Sequence, residues 1–180
     1  YCSRRQRQMC IRDSLKPMNV KNYSVKILKD LVIDINLGSG VFEPTGTSSE
    51  IAIAVNNHIT SPGKTLDLGC GSGVVGLALA ISKKIDGKLF ASDLSKEAVN
   101  YLKVNAEKYG IEVDARSGSV FDPWNDETFD YIIDDISGVA ERIAEISPWF
   151  NETACESGTD GTRLVCLLYT SPSPRDVLRS

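Results

Sequence analysis

Leu66-Asp67-Leu68-Gly69-Cys70-Gly71-Ser72-Gly73 (residues 66–73) decides the reading of this chain. It stands between a short run with strand character, Thr65–Leu68, and a helix-forming stretch, Val74–Ser82. Glycines at 69, 71 and 73 permit a tight strand-to-helix turn and let a ligand approach the backbone with no Cβ in the way. The helix that follows offers free N–H groups and the positive end of its dipole to that ligand. Twenty residues after Gly73, Asp93 falls at the end of the next predicted strand, where a carboxylate can hold both hydroxyls of a ribose. The segment reads as a nucleoside site at the carboxyl edge of a parallel sheet.

The surroundings fit such a sheet. Downstream, the pattern predicts strand Lys88–Ser92, helix Lys96–Lys108, strand Glu112–Ser117, strand Tyr131–Ile133 and a helix over Gly138–Glu145. Upstream, Val25–Asn36 alternates apolar and polar residues, Leu37-Gly38-Ser39-Gly40 supplies turn chemistry, and Val41-Phe42 follows, which predicts a β-hairpin. Thr45–Ser49 can cap a helix running from about Glu50 to His58, and Ser61-Pro62-Gly63 ends it. Strands alternating with helices predict an α/β fold, a Rossmann-like doubly wound, mostly parallel sheet with right-handed crossovers, preceded by an N-terminal hairpin.

The chain has 180 residues, a formal charge of −4 and 42% hydrophobic residues, which is one globular domain by size and composition. No run approaches the ~18–20 apolar residues of a membrane span, and no signal-peptide core stands near the start. The two ends are unusual. Met9–Ser14 and Cys166–Ser171 back-translate to opposite strands of one short DNA, and Arg4–Ser14 and Cys166–Asp176 resemble translated sequencing adapters. Residues 1–14 and 166–180 therefore read as appended sequence, excluded from fold reasoning. What remains divides into 15–60, the hairpin and leading helix, and 61–165, a ligand-binding domain truncated at its C-terminus. That span of 151 residues carries 14 Lys and Arg against 22 Asp and Glu, a charge of −8, so nothing in its bulk electrostatics favours nucleic acid. Of five cysteines it keeps only Cys70 and Cys155, which fits a reducing, cytoplasmic compartment. No Cys/His spacing forms a zinc site.

Two ligands compete for the glycine loop. Gly71-Ser72-Gly73-Val74-Val75-Gly76 satisfies the dinucleotide G-x-G-x-x-G pattern, with Asp93 as its acidic element. Asp67, two residues before the first glycine, is foreign to that pattern; an acid at the strand tip suits a cationic ammonium and sulfonium better than a pyrophosphate. Asp-x-Gly-x-Gly-x-Gly with a distant ribose acid resembles motifs I and II of class I S-adenosylmethionine-dependent methyltransferases. Gly40-Val41-Phe42-Glu43-Pro44 with Thr47 and Glu50 is similar to the segment that precedes motif I in the small-methyltransferase-domain and HemK-like glutamine methyltransferases. Ser92-Asp93-Leu94-Ser95 with Ala98, Val99 and Asn105 is similar to their second strand and helix, and Gly158-Thr159-Asp160-Gly161 to the turn after their catalytic loop. After that turn, Thr162 begins a helix or Arg163–Val165 begins a fifth strand, the helix being preferred.

The resemblance spans Gly40–Val165 and implies S-adenosylmethionine held by Asp67, Gly69, Cys70, Gly71, Gly73, Asp93 and Leu94, with Ser119 and Val120 near the adenine. It implies methyl transfer to a protein side chain or an RNA base, with neither metal nor membrane involved. Two departures stand out. Gly118-Ser119-Val120 replaces the acidic residue usual beside the adenine amino group, and Asp134-Asp135-Ile136-Ser137 replaces Asn-Pro-Pro-Tyr. Asp135 falls in the register that holds an acceptor nitrogen and is the first candidate for orienting or deprotonating it, with Asp134 second. Either could instead cap a helix over Ser137–Glu145. Because the sulfonium is already activated, such a site needs positioning and proton removal more than covalent help.

Other singled-out residues are read as structural. His58 sits at a surface helix end and Cys70 fills space in the loop. Trp124 and the pair Trp149-Phe150 are packing residues before they are pocket walls, and Asp122, Asp126 and Glu127 form a solvated acidic edge. The competing functions are a catalytically inactive methyltransferase-like binding module and a nicotinamide-dependent oxidoreductase. Asp67 and the lack of a Tyr-x-x-x-Lys pair oppose the latter.

Overall fold

Thr65–Leu68 is buried at all four positions, as a central parallel strand covered on both faces must be. In the computed structural model, which describes residues 20–38, 40–147, 150 and 155–170, this segment is β3. The readings made for residues 1–14 and for Trp149 lie outside the described residues. β3 pairs in parallel with β4 (Leu89–Asp93) on one side and β6 (Tyr131–Asp134) on the other, and β5 (Val113–Ser117) extends the sheet beyond β4 in the order β5-β4-β3-β6. The chain leaves β3 in one direction and returns on its other side. This puts a topological switch point, where open α/β sheets bind ligands, at the carboxyl end of β3.

The antiparallel pair β1 (Lys21–Leu28) and β2 (Leu31–Leu37) forms a separate two-stranded sheet. It lies on helices α1 (Gly46–His58), α2 (Val74–Ile81) and α3 (Lys96–Lys108), so Ile27, Ile33 and Ile35 share one core with Leu77, Leu79 and Leu102. The opposite face of the four-stranded sheet buries Leu66, Leu68, Phe90, Trp124, Phe129 and Leu164. Side chains alternate across β4 as the strand period requires: Leu89 and Ala91 join the first core, Phe90 the second. The expected α/β architecture with an N-terminal hairpin is therefore present. No helix among the described residues is long and apolar enough to cross a membrane.

Several boundaries differ from the sequence expectation, each for a local reason. The hairpin turns at Lys29-Asp30, not at Leu37–Gly40, because Leu28 pairs with Leu31 across a two-residue connection. The leading helix starts at Gly46, four residues before Glu50, with Thr45 in extended geometry ahead of it. Helix α3 matches its predicted span because Ser95 caps it, its Oγ accepting the Ala98 N–H at 3.2 Å. Helix α4 (Glu141–Ile146) starts three residues later than Gly138, and its cap position is Ala140, so neither Asp134 nor Asp135 caps it. The helix preferred after Thr162 forms as α5 (Arg163–Thr170), and it runs on through residues 166–170.

Trp124 packs rather than lining a ligand site. Its ring meets Phe90 and Phe129 edge-on at 5.8 and 5.7 Å, and its Nε1–H donates to Ser92 Oγ at 3.0 Å. Replacing it with Phe leaves the buried Ser92 hydroxyl without this donor and opens a void. The expected loss is about 2–4 kcal/mol of unfolding free energy, read from urea denaturation. The acidic edge is not uniformly solvated. Asp122 and Asp126 are exposed, but Glu127 bonds Lys64 Nζ at 2.5 Å and lies 3.7 Å from Arg116, whose guanidinium covers the Trp124 ring.

Candidate active site

A cavity of about 520 Å³ opens at the carboxyl ends of β3, β4 and β6, within the size range of small-molecule sites. Its floor is the glycine loop. Gly69 and Cys70 donate their N–H groups to Ser92 C=O at 2.9 and 3.0 Å, and Gly73 donates to Cys70 C=O at 2.7 Å. Gly69 adopts φ +75°, and a Cβ there would stand 2.8 Å from the Asp135 carbonyl oxygen, so only glycine lets the loop meet the segment after β6.

Gly73 serves packing. It sits outside the cavity wall at φ +84°, and a Cβ would come 2.0 Å from Leu102 Cδ1 of α3.

Asp67 lies beneath this loop, 1% exposed, with Oδ2 accepting the Gly76 N–H of α2 at 3.0 Å. Burial pushes its carboxyl up to about 7, helped by the nearby Asp135 and Asp93 charges and opposed by the Gly76 hydrogen bond. Asp93 closes β4. Its Oδ2 accepts Gly71 N–H and its Oδ1 accepts Ser95 N–H, both at 2.8 Å. Burial raises its pKa, while the N–H groups of Ser95, Gly71 and Leu94 hold it down. The Cys70 thiol is raised well above its usual value by burial and by Asp67 and Asp93, which makes it an inert wall group.

Leu94, Gly118 and Val120 line the same cavity, whereas Ser119 does not; its carbonyl accepts the Asp122 N–H. The two aspartates after β6 separate in the same way. Asp135 continues the ladder by donating its N–H to Leu68 C=O at 3.0 Å and lines the cavity. Its carboxyl is pushed up to about 6, first by desolvation and then by Asp134. Asp134 stays off the wall; its Oδ1 accepts the Ile136 N–H at 3.2 Å and shapes the turn.

Sequence reasoning missed part of the wall. Phe150 belongs to it, its ring 5.6 Å from Phe42, where packing was preferred to a pocket wall. Cys155 and Glu156 also line the cavity, with no motif to mark them; the Gly158-Thr159-Asp160-Gly161 turn just beyond was the nearest signal. His58 is exposed and away from the site.

Asp67, Asp93, Asp135 and Glu156 thus give the described wall four carboxylates, and no lysine, arginine or histidine joins them. The loop and helix N–H groups of Gly71, Gly73 and Gly76 are already bonded, two of them to carboxylates. A pyrophosphate would meet four carboxylates there and no side-chain cation. Among the described residues no group of three His, Cys, Asp or Glu could hold a metal ion.

A family model described as the methyltransferase small domain matches residues 29–135. The chain is 33% identical over 120 residues to a ribosomal protein L11 methyltransferase of Campylobacter hominis, covering 61% of this chain and 38% of that protein. It is 30% identical over 104 residues to a release factor glutamine methyltransferase of Geobacter sulfurreducens, covering 53% and 35%. The chain therefore spans less than two fifths of the length of these curated relatives. Two solved structures share the fold. One is a 16S rRNA N2 G1207 methyltransferase of T. thermophilus in complex with AdoMet and guanosine, at TM-score 0.57 and 20% identity, covering 66% of this chain and 33% of that one. The other is a ribosomal protein L11 methylase of Lactobacillus delbrueckii subsp. bulgaricus, at TM-score 0.52 and 23% identity, covering 76% and 77%.

Proposed function

Because the chain belongs to the methyltransferase small domain family, we propose that it binds S-adenosylmethionine in this cavity and methylates a nitrogen on a protein or an RNA. The observation that carries the reading is the wall of four carboxylates without a cation, set between the glycine loop and Asp93. S-adenosylmethionine presents a sulfonium, an ammonium and a ribose. Asp93, at the end of β4 on the cavity wall, accepts the two ribose hydroxyls. Gly69, Cys70 and Gly71 form the floor, Leu94 and Val120 flank the base, and Asp67 faces the cationic end. When bound, S-adenosylmethionine supplies a methyl group already activated by its sulfonium. Asp135 then has two tasks: to orient the acceptor N–H toward the cavity and to take up the proton that N-methylation releases. The carboxylate wall favours a protein nitrogen over an acceptor that must bring phosphates close. The free thiols of Cys70 and Cys155 are in keeping with a reducing, cytoplasmic setting.

Calorimetry with S-adenosylmethionine, S-adenosylhomocysteine and NAD tests the ligand. Labelled methyl transfer to ribosomal protein L11, a release factor and 16S rRNA tests the acceptor. Binding of both sulfur nucleosides but not NAD is expected, with transfer to one of the three. A folded sample that binds neither sulfur nucleoside overturns the reading, and binding without any transfer leaves a binding module.

The wall also predicts pH dependence. A cation favours ionised carboxylates, so affinity for S-adenosylmethionine rises with pH through the window of about 6 to 7 set by Asp135 and Asp67, then levels. Stability of the free protein runs the other way. Asp67 is raised on folding, so its contribution is full below about pH 4 and is lost as pH passes about 7. Asp67→Asn keeps an oxygen for Gly76 N–H, so it should fold, lose about tenfold or more in affinity and flatten both profiles. Unchanged profiles would remove Asp67 from the ligand site.

A further inference from the structure

The acceptor side of the cavity is built from two segments distant in sequence: Asp135–Val139 after β6, and Cys155–Glu156 before α5. Neither is part of a sheet or a helix, so something else must fix their spacing. Ser157 does so. It is fully buried and off the cavity wall, and its Oγ–H donates to the Ser137 carbonyl at 2.7 Å. The neighbouring contacts run in register with this bond. Gly158 N–H donates to Glu141 Oε1 at 3.0 Å, and Glu141 N–H donates back to Gly158 C=O at 2.9 Å. Cys155 Sγ lies 3.5 Å from Val139 C=O, and Gly161 passes so close that a Cβ would stand 2.3 Å from Gly138 C=O. The far end is anchored as well: Arg163 N–H donates to Ser157 C=O at 2.9 Å, tying the clasp to the first turn of α5.

We infer that Ser157 is a positioning residue, whose hydrogen bond to Ser137 clasps the two segments so that Asp135 and Glu156 face one acceptor site. The inference rests on the proposed site and deepens it. Removing the hydroxyl leaves the Ser137 carbonyl without its buried donor and frees the Asp135–Val139 wall to move toward water. The glycine loop and Asp93, which hold the nucleoside, do not depend on this bond. The prediction is therefore selective, in that the acceptor wall loosens while the nucleoside site stays.

The test compares Ser157→Ala with Glu141→Ala, which releases the same clasp from its other side. The readouts are amide hydrogen exchange, NMR titration of the aspartate carboxyls, and calorimetry with S-adenosylmethionine. In both variants exchange over residues 137–141 should quicken about tenfold or more. The Asp135 midpoint, near 6 in the parent, should fall toward an ordinary carboxylate while Asp67 stays put. At pH 8, above both the Asp135 and Asp67 midpoints, affinity for S-adenosylmethionine should remain within about twofold. A Ser157→Thr variant, which keeps the hydroxyl, should restore the parent titration. A folded Ser157→Ala protein with unchanged exchange and an unchanged Asp135 midpoint overturns the clasp. A variant that loses S-adenosylmethionine affinity as steeply as it gains exchange also overturns it, because the effect would then be general. Failure of the parent chain to bind S-adenosylmethionine instead overturns the underlying site reading, and the exchange result still stands apart from it.

Discussion

Asp93→Ala is expected to weaken S-adenosylmethionine binding by at least about 100-fold, the largest effect of any single substitution at this site. Two contributions add. Hydrogen bonds to a charged acceptor are each worth about 1.5–3 kcal/mol, and the proposed site gives the ribose hydroxyls to Asp93. The same carboxylate also receives Gly71 N–H and Ser95 N–H at 2.8 Å, so its loss releases the glycine loop from the end of β4. Asp93→Asn separates the two roles. It can still accept one backbone N–H but loses the charge and one acceptor, so its affinity should fall between parent and alanine variant. Calorimetry against S-adenosylhomocysteine checks the order. Parent-like binding by Asp93→Ala would show that the nucleoside lies elsewhere.

Gly69→Ala is expected to cost at least about 3 kcal/mol of stability, a fall in Tm of about 6 °C or more for a chain of this size. A left-handed backbone costs an alanine about 1–2 kcal/mol, and Gly69 sits at φ +75°. The added Cβ would also press on Asp135 backbone atoms at 2.8 and 2.9 Å, which cannot rotate away. Relief requires the glycine loop, the floor of the nucleoside site, to shift, so the variant should lose ligand affinity along with stability. Differential scanning calorimetry with and without S-adenosylmethionine separates the two losses. A variant with parent-like Tm would mean that the loop and the β6 segment do not meet as described.

Much of the fold was legible because its signals are local. Leu66–Gly73 marks a strand, a turn and a helix start within eight residues, and the acid at position 93 stands where the next strand ends. Ser95 announces the start of α3 by capping chemistry that depends on nothing distant. Where signals were weaker the expectation slipped. The hairpin turn was placed on the glycines at 38–40, yet the pairing of Leu28 with Leu31 puts it at Lys29-Asp30, which carries no glycine or proline. Trp124 carries no sequence mark separating core from pocket; burial against Phe90 and Phe129 decides that.

The sequence by itself determined the class of fold, the glycine loop and the acids at 67 and 93, since each follows from the spacing of neighbouring residues. Only the tertiary structure decided which acid after β6 faces the cavity. Consecutive strand residues point to opposite sides, and the turn held by Asp134 leaves Asp135 on the wall. It also decided that Ser119 and Gly73 stand outside the wall while Phe150, Cys155 and Glu156 complete it. Those last residues come to the site through contacts such as Ser157 to Ser137, across 20 positions of chain. Packing and long-range hydrogen bonds set such contacts, and they leave no periodicity or motif to read.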